Sequence, residues 1–156
     1  MKDPLTYLQQ AIVTRLRAVP FLVDVPVFHE RLKDVEAEIQ KALGTIAGEG
    51  KAGIFALVLT PFAKAGGCEI PGQPYFDDVD LVVQIAENVL LNSGEQGTQK
   101  TAPAVALAIA AALHLHHEPG CFASLKTDLI KLVPHDSLVV YNISFKTALN
   151  ATFAQD

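Results

Sequence analysis

The stretch from Asp77 to His117 constrains the fold most, because its structural period changes twice. Val79-Asp80-Leu81-Val82-Val83-Gln84-Ile85-Ala86 alternates as a half-buried strand does and stops at Glu87-Asn88. A polar loop follows, Leu91-Asn92-Ser93-Gly94-Glu95-Gln96-Gly97-Thr98-Gln99-Lys100. An Ala-rich helix then begins near Thr101-Ala102-Pro103 and runs to His114-Leu115-His116-His117. Strand, loop and small-residue helix can pack together, yet the segment holds no recognisable catalytic constellation. Function is therefore expected in loops that touch other proteins.

Leu5, Leu8, Ile12, Leu16 and Val19 recur at helical spacing, which predicts a first helix over Pro4 to Val19, with Asp3 as its cap. Phe21 to His29 is a short strand candidate. Its Pro26 belongs on a sheet edge or at a bulge. Leu32, Val35, Ile39, Leu43 and Ile46 form one stripe and predict a helix over Arg31 to Ile46. The apolar run from Gly53 to Pro61 reads as a buried central strand. Phe62 to Asp78, with Gly66-Gly67 and Pro71-Gly72-Gln73-Pro74, reads as a long functional loop. Leu125 to Val133 and Leu138 to Lys146 flank a short turn at Pro134-His135-Asp136 and predict an antiparallel hairpin. Asn150 to Asp156 reads as a frayed tail. The order α-β-α-β-β-α-β-β predicts an α+β fold: a mainly antiparallel or mixed sheet of about four to five strands with helices on one face. One domain is expected over 1–156.

A formal charge of -5, from 17 acids against 12 bases, disfavours nonspecific or sequence-specific nucleic-acid binding, which needs clustered Lys and Arg. Cys68 and Cys121 stand in no zinc-like spacing and read as reduced thiols. The start of the chain shows no signal peptide, and no apolar run reaches the about 18 residues of a membrane span. A cytoplasmic protein off the membrane is the expectation.

Reactive chemistry has few candidates. His114 and His117 stand three apart on a helix and could share a metal with Glu118 or Cys121, while His116 faces elsewhere. The competing reading is a solvated, fraying helix end. Asp78 and Asp80, near Asp77 and Glu87, point to one side of a strand and could share a divalent cation. Turn chemistry explains them equally well. Lys100-Thr101 precedes a helix and could hold an anion weakly. No nucleophile elbow, phosphate loop, dinucleotide fingerprint or zincin motif is present. The expectation is a non-enzyme with no catalytic residue, metal or cofactor.

Four patterns, in order, carry a resemblance over most of residues 27–135. They are Val27-Phe28-His29-Glu30-Arg31-Leu32-Lys33-Asp34-Val35-Glu36 ending in Ala42-Leu43; Gly53-Ile54-Phe55-Ala56-Leu57-Val58-Leu59-Thr60-Pro61; Val83-Gln84-Ile85-Ala86-Glu87-Asn88 followed by Asn92; and Ala112-Leu113-His114. Together they resemble the tail-terminator or tail-completion proteins of tailed bacteriophages, the minor-tail-protein-U-like group, including prophage-derived members. The resemblance implies a non-enzymatic subunit of the virion tail, assembled in the bacterial host cytoplasm. Such a subunit forms a ring, often hexameric, that caps the tail tube and joins it to the neck. Implied partners are copies of itself, the tail tube protein and neck or head–tail connector proteins. Implied contact residues lie in two loops: Gly66, Gly67, Gln73, Tyr75 and Phe76 in the first, and Asn88, Asn92, Glu95, Gln96 and Lys100 in the second. The first helix is longer than the family pattern, and His116-His117 with Pro119-Gly120 lies outside it. Two other readings stay open: a ligand-binding or regulatory α+β domain with Phe62–Asp78 as a lid, and a different head–tail connector protein. An acidic chain would also suit a lumen through which DNA slides.

Overall fold

The computed structural model describes residues 4–30, 33–43, 52–66, 75–95, 97–119, 121 and 123–150. Helix α1 spans Pro4–Arg17 and buries Leu8, Ile12, Val13 and Leu16, one stripe of the expected helix. The cap expected at Asp3 lies outside the described residues. A 3-10 turn, Pro20–Leu22, follows. The expected strand from Phe21 shrinks to β1, Val27–His29. Pro26 sits just before it, on a sheet edge as expected, and its carbonyl accepts from Ala56 N at 2.9 Å.

Helix α2, Val35–Ala42, is shorter than the stripe over Arg31 to Ile46 predicts. Asp34 takes a left-handed backbone with φ 59, so helical geometry begins only at Val35. Residues 31–32 and 44–51 lie outside the described residues.

Strands β2 (Ile54–Ala65) and β3 (Tyr75–Glu87) form a long antiparallel hairpin, registered from Ile54↔Glu87 to Ala65↔Phe76. Much of the loop expected over Phe62 to Asp78 is therefore strand. Pro61 falls at the register shift between Leu59 and Phe62, where the missing N–H interrupts no ladder bond. Beyond it the sequence alternates again. The Pro/Gly-rich residues 67–74 lie outside the described residues.

After β3 come a one-turn helix α3 (Val89–Asn92) and helix α4 (Ala102–Leu113). Strands β4 (Lys126–Val133) and β5 (Val139–Asn150) make the expected antiparallel hairpin, and β5 outruns its predicted end at Lys146. The sheet order is β1-β2-β3-β5-β4. Among the described residues only β1 and β2 pair in parallel. The α+β class, the element order and the mixed five-stranded sheet agree with the sequence reading.

The sheet has two unequal faces. Val58, Leu81, Val83, Ile85, Ile143 and Phe145 point to one, where α1 (Leu8, Ile12, Leu16) and α4 (Val105, Ile109, Leu113) cover them. Each such side chain contributes about 1.5–3 kcal/mol by leaving water. This layer is the main core, and the two long helices share one face as expected. The other face carries a smaller cluster, Phe28, Phe55, Ala86 and Val140, closed by Ala42, Val35 and Ile39 of α2. Helix α4 has no polar side chain from Ala102 to Leu113. Ala102, Val105, Ala106, Ile109 and Leu113 are buried, while Leu107 is 64% exposed.

Candidate functional site

The loop from Asn88 to Lys100 is organised around one buried side chain. Asn92 is 1% exposed. Its Nδ2 donates to Glu87 Oε2 at 2.6 Å and to the Lys100 carbonyl at 2.8 Å. Its Oδ1 accepts from Thr98 N at 3.1 Å and Thr98 Oγ1 at 2.6 Å. Glu87, also buried, accepts the Ala102 N–H with its other oxygen at 2.9 Å. That N–H opens α4, so Glu87 meets the positive end of the helix dipole. Thr101 caps the same helix through Oγ1, which accepts from Ala104 N at 3.3 Å. The strand end, the loop and the helix start form one satisfied polar network inside apolar surroundings.

Two glycines exist to make room for it. A Cβ on Gly97 would stand 2.0 Å from the Asn92 carbonyl oxygen, and one on Gly53 would stand 2.4 Å from Asn92 N. Gly53 also has φ +77, a conformation that side chains disfavour. Sequence reasoning missed this hub. The available signal was an acid at a strand end followed, across a Gly-rich loop, by a capped helix start.

The remaining residues of the second loop divide between structural and exposed roles. Asn88 Oδ1 accepts from Leu91 N and caps α3. Lys100 Nζ donates to the Phe21 carbonyl and to Asp24, and stands over the Phe21 ring at 4.7 Å. Lys100 and Thr101 are thus both engaged within the chain, and Glu87 fills the place an anion would take at α4. Glu95 is exposed, and Gln96 lies outside the described residues. In the first loop, Gly66 N donates to the Tyr75 carbonyl at 2.6 Å and continues the hairpin. Tyr75 is half-buried, and Phe76 packs against the main core. Gly67 and Gln73 lie outside the described residues.

The acids read as a possible cation pair meet a lysine instead. Lys146 Nζ bonds Asp78 Oδ1 at 3.1 Å and also pairs with Asp80. Those bonds, to Asp80 first and Asp78 second, raise the Lys146 pKa. Asp77 is exposed, and Glu87 stands at the far end of β3.

The histidines also go separate ways. His114 Nδ1 lies 3.0 Å from Thr127 Oγ1, His116 Nε2 lies 3.0 Å from Glu118 Oε2, and His117 Nε2 lies 2.6 Å from the Cys121 carbonyl. The expected frayed helix end is tied down instead, since Leu115 N donates to the Leu125 carbonyl and Leu125 N to that of His116. Burial pushes the Cys121 thiol up to about 11, against the lowering effect of a hydrogen bond with Thr147. Cys68 lies outside the described residues. Among the described residues no three His, Cys, Asp or Glu side chains are placed to hold a metal ion.

A shallow groove of about 760 Å³ runs between α1 and α4. Small residues line it, Ala11, Ala18, Ala108 and Ala111 among them. Its polar members are engaged with one another and with the groove's own backbone: Arg15 donates to the Ala112 carbonyl, and His116 pairs with Glu118. The groove offers contact surface. No helix among the described residues is long and apolar enough to cross a membrane.

No protein-family model matches the chain, and no curated protein matches it. Among solved structures, a chain of the virion of a native gene transfer agent (GTA) particle is similar to it, with a TM-score of 0.56 at 16% identity. The likeness covers 92% of this chain and 94% of that one, so the two share a fold over nearly their whole lengths.

Proposed function

We propose that this chain is a structural subunit of a phage-like virion, and that within the particle it acts at the tail. In this reading copies form a ring that caps the tail tube and joins it to the neck. The observation that carries the proposal is the near full-length fold likeness to a chain of a gene transfer agent virion. The sequence resemblance to tail-terminator proteins supplies the finer assignment. The chain works by shape and catalyses no reaction. Two features favour that: the buried polar side chains join elements to one another, and the larger candidate clusters are closed on themselves.

Ring neighbours, tube protein and connector proteins would meet its exposed positions. Glu95 is exposed, and Leu90 (88% exposed) and Val23 (77% exposed) are the most exposed large apolar side chains among the described residues. Asn92 would act by holding the second loop in shape.

Removing the gene from a producing strain tests the reading. The expected result is particles with tubes of irregular length that fail to join heads, with the chain restored to one end of the tail on complementation. Normal joined particles without the chain would end the proposal.

A further inference from the structure

The histidines divide by what their ring nitrogens face. His116 Nε2 meets a Glu118 carboxylate oxygen at 3.0 Å, and His117 Nε2 meets the Cys121 carbonyl at 2.6 Å. Both partners are acceptors, so a ring that gains a proton keeps its bond. His114 and His135 are the reverse case. Thr127 N donates to His114 Nδ1 at 3.3 Å. Ser137 N and Leu138 N donate to His135 Nδ1 at 3.2 and 3.1 Å. A backbone N–H only donates, so each Nδ1 must present its lone pair, and the one hydrogen of the neutral ring sits on Nε2. The two rings stand at the two ends of β4. His114, which closes α4, holds Thr127 near the start of the strand, and His135 holds the turn that leads from β4 into β5.

We propose that these two imidazoles are an acid-released clasp on the outer strand of the sheet. Neutral, they hold both ends of β4. Protonation puts a hydrogen on each Nδ1, pointing at backbone N–H groups, and the three N–H bonds are lost. Histidine takes up that proton in the mildly acidic range. The two ends respond differently. At the turn nothing replaces Nδ1 among the described residues, so the turn opens. At the start of the strand Thr127 Oγ1, 3.0 Å from His114 Nδ1, can turn to accept the new hydrogen, so only the backbone bond is lost there. The ladder from β4 to β5 does not use the rings, so the release is local and the strand stays in the sheet. The charged neighbours are few. At His114, α4 offers none from Ala102 to Leu113, and the turn after it holds the His116–Glu118 pair and His117. There β4 sets Lys126 and Asp128 beside Thr127, and β5 sets Lys146 opposite Lys126, already paired with Asp78 and Asp80. At His135 the turn carries Asp136, and α2, in the cluster with Val133 and Leu138, carries the Glu38–Lys41 pair. Among the described residues none of these charged groups bonds to either ring. The clasp stands whether or not the virion reading holds.

Nuclear magnetic resonance of ring nitrogens and amides in the full chain, from about pH 7.5 down to about pH 5, tests this. At the neutral end both rings should carry their hydrogen on Nε2 alone. As the rings take up protons, the Thr127, Ser137 and Leu138 amides should move toward the shifts of unbonded amides. Exchange at Ser137 and Leu138, corrected for the intrinsic effect of pH, should speed up about fivefold, the scale of one net hydrogen bond. Asn sets a carboxamide oxygen where the imidazole has Nδ1, and it does not titrate. His135→Asn should therefore fix the turn amides across the range and leave the Thr127 amide titrating, and His114→Asn should do the opposite. A hydrogen on Nδ1 of either neutral ring overturns the proposal without any variant. So do amides that stay put while the rings titrate, or amides that go on titrating once their own ring is Asn.

Discussion

The two ends of β3 carry acids in opposite circumstances. At its start Asp78 and Asp80 share Lys146 at the surface, where side-chain exposure is 42%, 27% and 41%. At its end Glu87 is 5% exposed and its oxygens are taken by Asn92 and by the first N–H of α4. Sequence groups all of these acids on one strand. Water separates them. A screened surface ion pair contributes little, whereas a buried acceptor that loses its donors, or leaves them unpaired, costs the full desolvation of each group. The ordered loop after β3 therefore depends on the second end.

The largest expected effect is at that end. Glu87→Ala orphans the Ala102 N–H and one Asn92 donor bond, and should cost about 3 kcal/mol in chemical denaturation. Asn92→Ala should cost a similar amount, and the double variant less than the sum, because the residues serve one network. Full additivity would show that they act independently and would break the contrast between the two ends.

Gly97→Ala comes next. Its Cβ would overlap the Asn92 carbonyl, a backbone atom that cannot swing aside. The expected loss is about 2 kcal/mol, by overpacking. A neutral result would mean the loop has room to adjust.

How much of this was legible in the sequence follows from which contacts are local. The stripe of α1, the alternation of β3 and the β4–β5 hairpin are patterns within one element, and each was readable as written. The α2 boundary failed because a left-handed Asp34 interrupts a continuous apolar stripe. The Phe62–Asp78 stretch reads as a loop because its glycines and prolines dominate the composition, while β2 continues past a register shift beside Pro61 to Ala65 and β3 already begins at Tyr75. Residues 91–100 read only as a polar loop because their composition is that of solvated loops. What orders it comes from elsewhere: Glu87 before it, Gly53 on β2's approach, Ala102 after it. The edge position of β4 was equally hidden, since β5 inserts between β3 and β4, against sequence order.

A smaller effect sharpens the comparison by showing that the exposed end of β3 also has a buried neighbour. Cys121 bridges Leu149, which pairs with Phe76 near the start of β3. Burial lifts its thiol to about 11, so the folded chain keeps a proton that the unfolded chain releases above about pH 8.5. Stability should hold steady below that value, fall as pH climbs toward about 11, and level off beyond it. In a Cys68→Ser background the remaining thiol should resist alkylation at pH 8 until denaturant is added. Rapid labelling of the native chain would place Cys121 with the exposed groups.

The smallest effect belongs to Lys146. Lys146→Ala should cost less than about 1 kcal/mol, and high salt should shrink the difference, since the pair is half-exposed. Hydrogen bonds to Asp80 and Asp78 raise its pKa, so its contribution is complete below the unfolded lysine value of about 10.4. That contribution disappears only as pH rises through the raised folded value. Between pH 6 and 9 the variant and the parent should therefore denature along parallel curves with a constant small offset. An offset that grew as pH fell toward 6 would mean a second titrating group leans on Lys146, and the surface acids would then be coupled to the core as Glu87 is.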